Sequence, residues 1–130
     1  MPEGKGYGPQ NTASTGLELN IIGDFAYAYS GIKATSATPT NFLDFHTGSF
    51  VLVGSWQPTY LGDSTNNIRY DIQLNGLLVA GAEVNTSRDD TPFNKLPIII
   101  PPFTHVEIII DNLSGGSNTA GVTLTARVYK

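Results

Sequence analysis

Apolar and polar positions alternate with a period of two along most of this chain, the spacing that sends successive side chains to opposite faces of a β-strand. Leu17, Leu19 and Ile21 alternate with Glu18 and Asn20, and after Gly23-Asp24 the rings of Phe25, Tyr27 and Tyr29 alternate with small residues. In Asn41 to Thr47, NFLDFHT, Phe42 and Asp44 share one face while Leu43 and Phe45 share the other, which predicts a strand buried on both sides. Thr47-Gly48 then turns into Ser49 to Trp56, SFVLVGSW, where Phe50, Leu52 and Gly54 oppose Val51, Val53 and Ser55. Gln57 to Asn67, with Pro58 and the polar run GDSTNN, reads as an exposed loop. The cleanest alternation follows, Ile68, Tyr70, Ile72 and Leu74 against Arg69, Asp71 and Gln73. It ends at Asn75-Gly76, two residues that tolerate the positive φ of a type I′ turn, so a tight hairpin returns along Leu77 to Val84.

Beyond the charged loop Ser87 to Lys95 stands LPIIIPPFTHVEIIID, and paired prolines cannot lie in a central ladder. A short edge strand, a bend at Pro101-Pro102 and a long strand from Phe103 to Asp111 are therefore expected. After the loop NLSGGSNTA, Val122, Leu124, Ala126 and Val128 face one way, and Thr123, Thr125, Arg127 and Tyr129 the other. About eight strands at spacings near ten residues, with no stretch of helical period, predict an all-β fold, an antiparallel β-sandwich.

Composition sharpens that picture. The chain has 130 residues, one domain's worth, and only 14% are charged, against about 25% in typical proteins. Helix surfaces lean on Glu, Lys and Arg, whereas strands accept the Thr, Ser and Asn that are plentiful here, so the scarcity of charge favours β-structure. A formal charge of −4 offers a phosphate backbone no general attraction, so nucleic acid is not an expected partner. There is no Cys, which removes disulfides and thiolate chemistry together. Pro97 to Phe103 and Val106 to Ile110 are too short to span a bilayer, and no membrane partner is expected.

Candidate chemistry is sparse. The histidines, His46 and His105, each sit at a strand end outside any catalytic motif, where an exposed or hydrogen-bonded imidazole is ordinary. Asp24, Asp44, Asp63, Asp71, Asp89 and Asp90 invite a calcium reading, yet no oxygen-ligand loop of the DxDxDG kind occurs and the histidines lack zinc-ligand spacing. Glu18, Glu83 and Glu107 fall mid-strand, facing solvent or a neighbouring subunit, and Gly115-Gly116 opens no phosphate loop. No catalytic residue, metal site or cofactor is predicted. Exposed rings are the fairer candidates: Trp56, Tyr60, Tyr27 and Tyr29 suit a glycan or an interface, and Trp56 suits equally a plug at one end of the sandwich.

Residues 1–15, MPEGKGYGPQNTAST, precede the alternation and lack both a secretory-type apolar core and a packable one. They read as a flexible N-terminal arm, either a disordered terminus or a strap ordered on a neighbouring subunit with Tyr7 as anchor, ahead of a single domain at 16–130.

Through Asn41-Phe42-Leu43-Asp44-Phe45, Thr47-Gly48, Ile72-Gln73-Leu74-Asn75-Gly76, Ile100-Pro101-Pro102-Phe103-Thr104 and Arg127-Val128-Tyr129, the chain resembles small jelly-roll structural proteins of viruses. These are capsid decoration, vertex or minor capsid proteins of tailed phages and other double-stranded DNA viruses. The resemblance covers most of 16–130 and implies a jelly-roll-like sandwich located in the virion. Its expected partners are the major capsid protein or other virion subunits, with assembly as a homo-oligomer, a trimer before a pentamer. The alternative function is a carbohydrate- or receptor-binding module on a virion or tail.

Overall fold

The computed structural model describes residues 18–35, 38–61, 67–85, 95–113 and 119–130. Within them the chain forms β1 (Asn20–Ile22), β2 (Phe25–Tyr29), β3 (Lys33–Ala34), β4 (Thr40–His46), β5 (Val51–Leu61), β6 (Asn67–Leu74), β7 (Leu77–Asn85), β8 (Leu96–Ile100), β9 (His105–Asn112) and β10 (Thr119–Tyr129). They build two antiparallel sheets, one in the order β1-β2-β10-β5-β8 with β3 also on β10, the other in the order β4-β9-β6-β7. The arm at 1–15, with Tyr7, lies outside the described residues.

The inward rows on β6 and β10 are the predicted ones, and β9 adds Val106, Ile108 and Ile110. Ile68, Tyr70, Ile72, Val106, Ile108, Ile110, Val122 and Leu124 are all essentially inaccessible. The residues of β6 and β9 from one sheet meet Val122, Leu124, Leu52, Trp56 and Ile100 from the other in a single apolar cluster. Each large side chain taken fully from water in this way contributes about 1.5–3 kcal/mol, the main force holding the layers together. One polar pin crosses the cluster, where the Tyr70 hydroxyl on β6 donates to the Thr59 carbonyl on β5 at 2.7 Å.

The Asn75-Gly76 turn forms as expected, with φ of 53° and 81° and Leu74 opposite Leu77. Two expectations are corrected. β4 is an edge strand, and it is not buried on both faces: a register shift between Asn41 and Leu43 inserts Phe42 as an extra residue, so Phe42, Leu43 and Phe45 all reach the core while Asp44 faces out. β5 continues through Pro58 to Leu61 instead of ending at Trp56. Past Trp56 it keeps, among the described residues, β10 alone as a ladder neighbour, and a proline's missing N–H is tolerated where a strand is open on one side. On β2 the small residues face inward, Ala26 and Ala28 being buried while Phe25 and Tyr29 are exposed.

At Gly54 β5 lies so close to β10 that a Cβ there would overlap the Thr125 carbonyl oxygen and the Ala126 Cα. Only glycine lets the two longest strands pair without a gap.

Candidate functional site

Two outer surfaces carry the side chains that the core does not use. The first is the outside of the β2-β10-β5-β8 sheet. Strand register aligns Phe25, Arg127, Val53 and Ile99 in one row, and Tyr27, Thr125, Ser55 and Pro97 in the next. Phe25 is 59%, Ile99 63% and Tyr129 50% exposed, so large apolar side chains that could have been buried stand in water. The Arg127 guanidinium lies 5.5 Å from the Phe25 ring centre and 5.9 Å from that of Tyr129, which gives the patch one cation held between two rings. Beside it Tyr27 and Tyr29 pack ring to ring at 4.9 Å, and Tyr29, Ser55, Gln57, Lys95, Thr123 and Thr125 line a shallow cavity of about 230 Å³.

The second surface is the outside of the β4-β9-β6-β7 sheet. Here Asp44 stands directly opposite Glu107, and His46 directly opposite His105. The backbone around them is clamped. Thr47 and Thr104, both buried, exchange hydrogen bonds: the Thr47 amide donates to the Thr104 carbonyl at 2.9 Å and the Thr104 amide to Thr47 Oγ1 at 2.8 Å. From the other side the Asn75 amide donates to the His105 carbonyl at 2.8 Å, and the His105 amide donates to Asn75 Oδ1 at 2.9 Å. The predicted hairpin turn therefore fixes where β9 starts.

On that frame the side chains converge. His105 Nε2 donates to Asp44 Oδ1 at 2.6 Å, and His105 Nδ1 lies 3.9 Å from Glu107 Oε1. Asn41 Nδ2 holds the outer carboxylate oxygens, donating to Glu107 Oε2 at 3.0 Å and to Asp44 Oδ2 at 3.3 Å. The His46 ring stacks on His105 with centres 4.3 Å apart and planes 6° from parallel. Further along the sheet Arg69 Nε donates to Asp71 at 3.0 Å. That hydrogen bond, helped by the charges of Asp71, Glu83 and Asp111 and opposed by slight desolvation, raises the guanidinium above its ordinary pKa.

The candidates named from sequence distribute as follows. Trp56 is 1% exposed and packs in the core on the inward row with Leu52, so its ring is not offered to a glycan or an interface. Of Tyr60 only the backbone is described, opposite Ala120, and its ring lies outside the described residues, as do Asp63, Asp89 and Asp90. Tyr27 and Tyr29 are on the outer face as a ring pair. His46 and His105, unrelated in any motif, are brought together, and Asp44, Glu107 and Asn41 join them. Sequence inspection missed that grouping because its members come from strands 61 residues apart. The only local cue was the alternation His105-x-Glu107 opposite Asp44-x-His46.

No family model matches the chain, and no curated protein matches it.

Proposed function

We propose that this chain is a structural protein of a virus particle, a jelly-roll capsid decoration or minor capsid subunit that acts by burying surface against other virion subunits. The observation that carries the reading is the exposed aromatic and aliphatic face of Phe25, Val53, Ile99 and Tyr129 around Arg127. Aromatic residues and Arg are enriched where subunits meet, and this face presents both, with Asp24 at 4.0 Å from Arg127 and Lys95 beside Tyr29 at its margin. A second surface supports it: Leu77, Leu78 and Val79 are exposed along β7, the edge strand of its sheet. Apolar strand edges left in water are natural docking edges.

The connectivity agrees with a jelly roll. Taking β2 and β4 to β10 as a series of eight, one sheet holds the first, eighth, third and sixth, and the other holds the second, seventh, fourth and fifth. That nested pairing is what two wrapped Greek keys produce, and it recurs in viral capsid and lectin domains. A homotrimer is the assembly we favour, with a pentamer as the vertex variant.

Sedimentation of the full-length chain tests the proposal. A trimer or pentamer is expected, and Phe25→Glu with Ile99→Glu reduces it to monomers without loss of the β-type circular dichroism spectrum. A wild-type chain that stays monomeric at high concentration, or an oligomer indifferent to both substitutions, overturns it.

A carbohydrate-binding module is the second reading, favoured by the Tyr27–Tyr29 pair beside the cavity lined by Ser55, Gln57, Lys95, Thr123 and Thr125. Rings can stack on the apolar face of a sugar while hydroxyl and amide groups meet its oxygens. Specific glycan-array binding that disappears in Tyr29→Ala would establish this reading in place of the first.

A further inference from the structure

We propose that Asp44, His105 and Glu107 form a binding site for a divalent transition-metal ion of the zinc type, on the outer face of the β4-β9-β6-β7 sheet. One donor atom from each residue, an imidazole nitrogen and two carboxylate oxygens, lies within 4.8 Å of the others. A tetrahedral ion with bonds near 2.0–2.2 Å holds its donors roughly 3.3 Å apart. An ion takes one nitrogen of the imidazole; through Nε2 the 2.6 Å contact with Asp44 opens by less than 1 Å, and the remaining donor separations, all within 4.8 Å, close by up to about 1.5 Å to reach that spacing.

Three features set this group apart from a chance run of acids. Asp44 and Glu107 are directly opposite on paired strands, where like charges destabilise the pairing unless a cation offsets them. The nearest described guanidinium on this face, Arg69, is engaged with Asp71. Asn41 donates to the outer oxygen of each carboxylate, which leaves Oδ1 and Oε1 turned toward the imidazole in the manner of a second layer orienting metal ligands. The His46 ring, stacked on His105, and the backbone clamp through Asn75 and Thr47 fix the plane and height of the imidazole. An imidazole among the donors favours zinc, cobalt or nickel over calcium and magnesium, which prefer oxygen alone. Three protein ligands leave a fourth position for water or for a donor from another molecule.

The composition makes the test clean. The chain has two histidines and no cysteine, and both histidines are in this cluster, so imidazole-dependent metal binding reports on no other site. The experiment is calorimetric titration of the chelator-treated full-length protein with zinc chloride, repeated with calcium chloride, and with cobalt chloride followed by visible absorption. One zinc per chain at a micromolar dissociation constant is expected, with cobalt giving the strong absorption of a four-coordinate ion. His105→Gln and Asp44→Asn abolish binding, and Asn41→Ala weakens it about 10–100-fold by releasing the carboxylates. Absence of zinc binding by the wild-type chain overturns the proposal. So does a calcium response stronger than zinc, or unchanged zinc affinity in a His105→Gln protein whose circular dichroism matches wild type.

Discussion

On the β2-β10-β5-β8 sheet the outward positions hold Phe25, Tyr29, Val53, Ile99 and Tyr129 around one guanidinium; on the β4-β9-β6-β7 sheet they hold Asp44, Glu107, Asp71, Asp111 and two imidazoles. Both surfaces are the reverse sides of equally apolar inner rows. The core therefore constrains neither, and on the proposed reading the contrast reflects what each face would touch. An apolar face gains by excluding water over area, with little demand on geometry. A face of carboxylates and imidazoles gains only where a few donors converge, and the Thr47, Thr104 and Asn75 clamps hold it to that geometry.

The largest effect expected from a single change is at Gly54, and it breaks the first face. A Val there drives its side chain into the Thr125 carbonyl and the Ala126 backbone, and β5 cannot rest against β10 without parting from it. Overpacking against backbone, which cannot turn aside as a side chain can, costs at least about 3 kcal/mol. Denaturant melts of Gly54→Val are expected to fall by that amount, and oligomer mass to fall with them. A variant as stable as wild type would mean that β5 and β10 do not approach so closely.

Much of this architecture is legible in the residues themselves. The rows of β6 and β10 and the Asn75-Gly76 turn follow from period and φ preference alone, since both are local properties. Phe42 is different: alternation read straight through NFLDFHT assigns it to the wrong face, because the inserted residue is set by pairing with β9, nearly seventy positions away. Pro58 misleads for a similar reason, since a proline's cost depends on whether a neighbouring strand needs its N–H. Period also says nothing about which row goes inside, so β2 buries its alanines and exposes its rings. The Asp44–His105–Glu107 group was illegible for the strongest reason, that only the register of β4 on β9 assembles it.

An intermediate effect separates the two faces from the core between them. Tyr70→Phe removes the one described hydroxyl bond that ties β6 to β5, leaving the Thr59 carbonyl short of its partner. The bond is only partly buried, so its loss costs about 1 kcal/mol. Thermal melts are expected to drop by a few degrees while oligomer mass and zinc affinity at 25 °C stay as in wild type, because neither outer surface loses a group. If either property changes together with the melting temperature, the faces are coupled through the core and the contrast drawn above is too sharp.

The smallest effect is a gain, and it lies where the chain enters the polar face. Phe103 has φ of 53°, a left-handed conformation that disfavours a side chain of this size, and its ring is 74% exposed with its amide donating to the Gly48 carbonyl at 2.8 Å. The prolines before it and the Thr104 bond after it hold the turn in this shape. Phe103→Gly relieves strain of about 1–2 kcal/mol and gives back part of it as unfolded-state entropy, so a net gain of about 0.5–1 kcal/mol is expected. A strained aromatic kept in solvent makes sense if its ring meets another molecule. The substitution should therefore raise the melting temperature of the isolated protein by roughly 2 °C while weakening its assembly. Equal or stronger assembly in Phe103→Gly would mean that the ring contributes nothing to contacts, which are then left to the apolar face of the other sheet and the β7 edge.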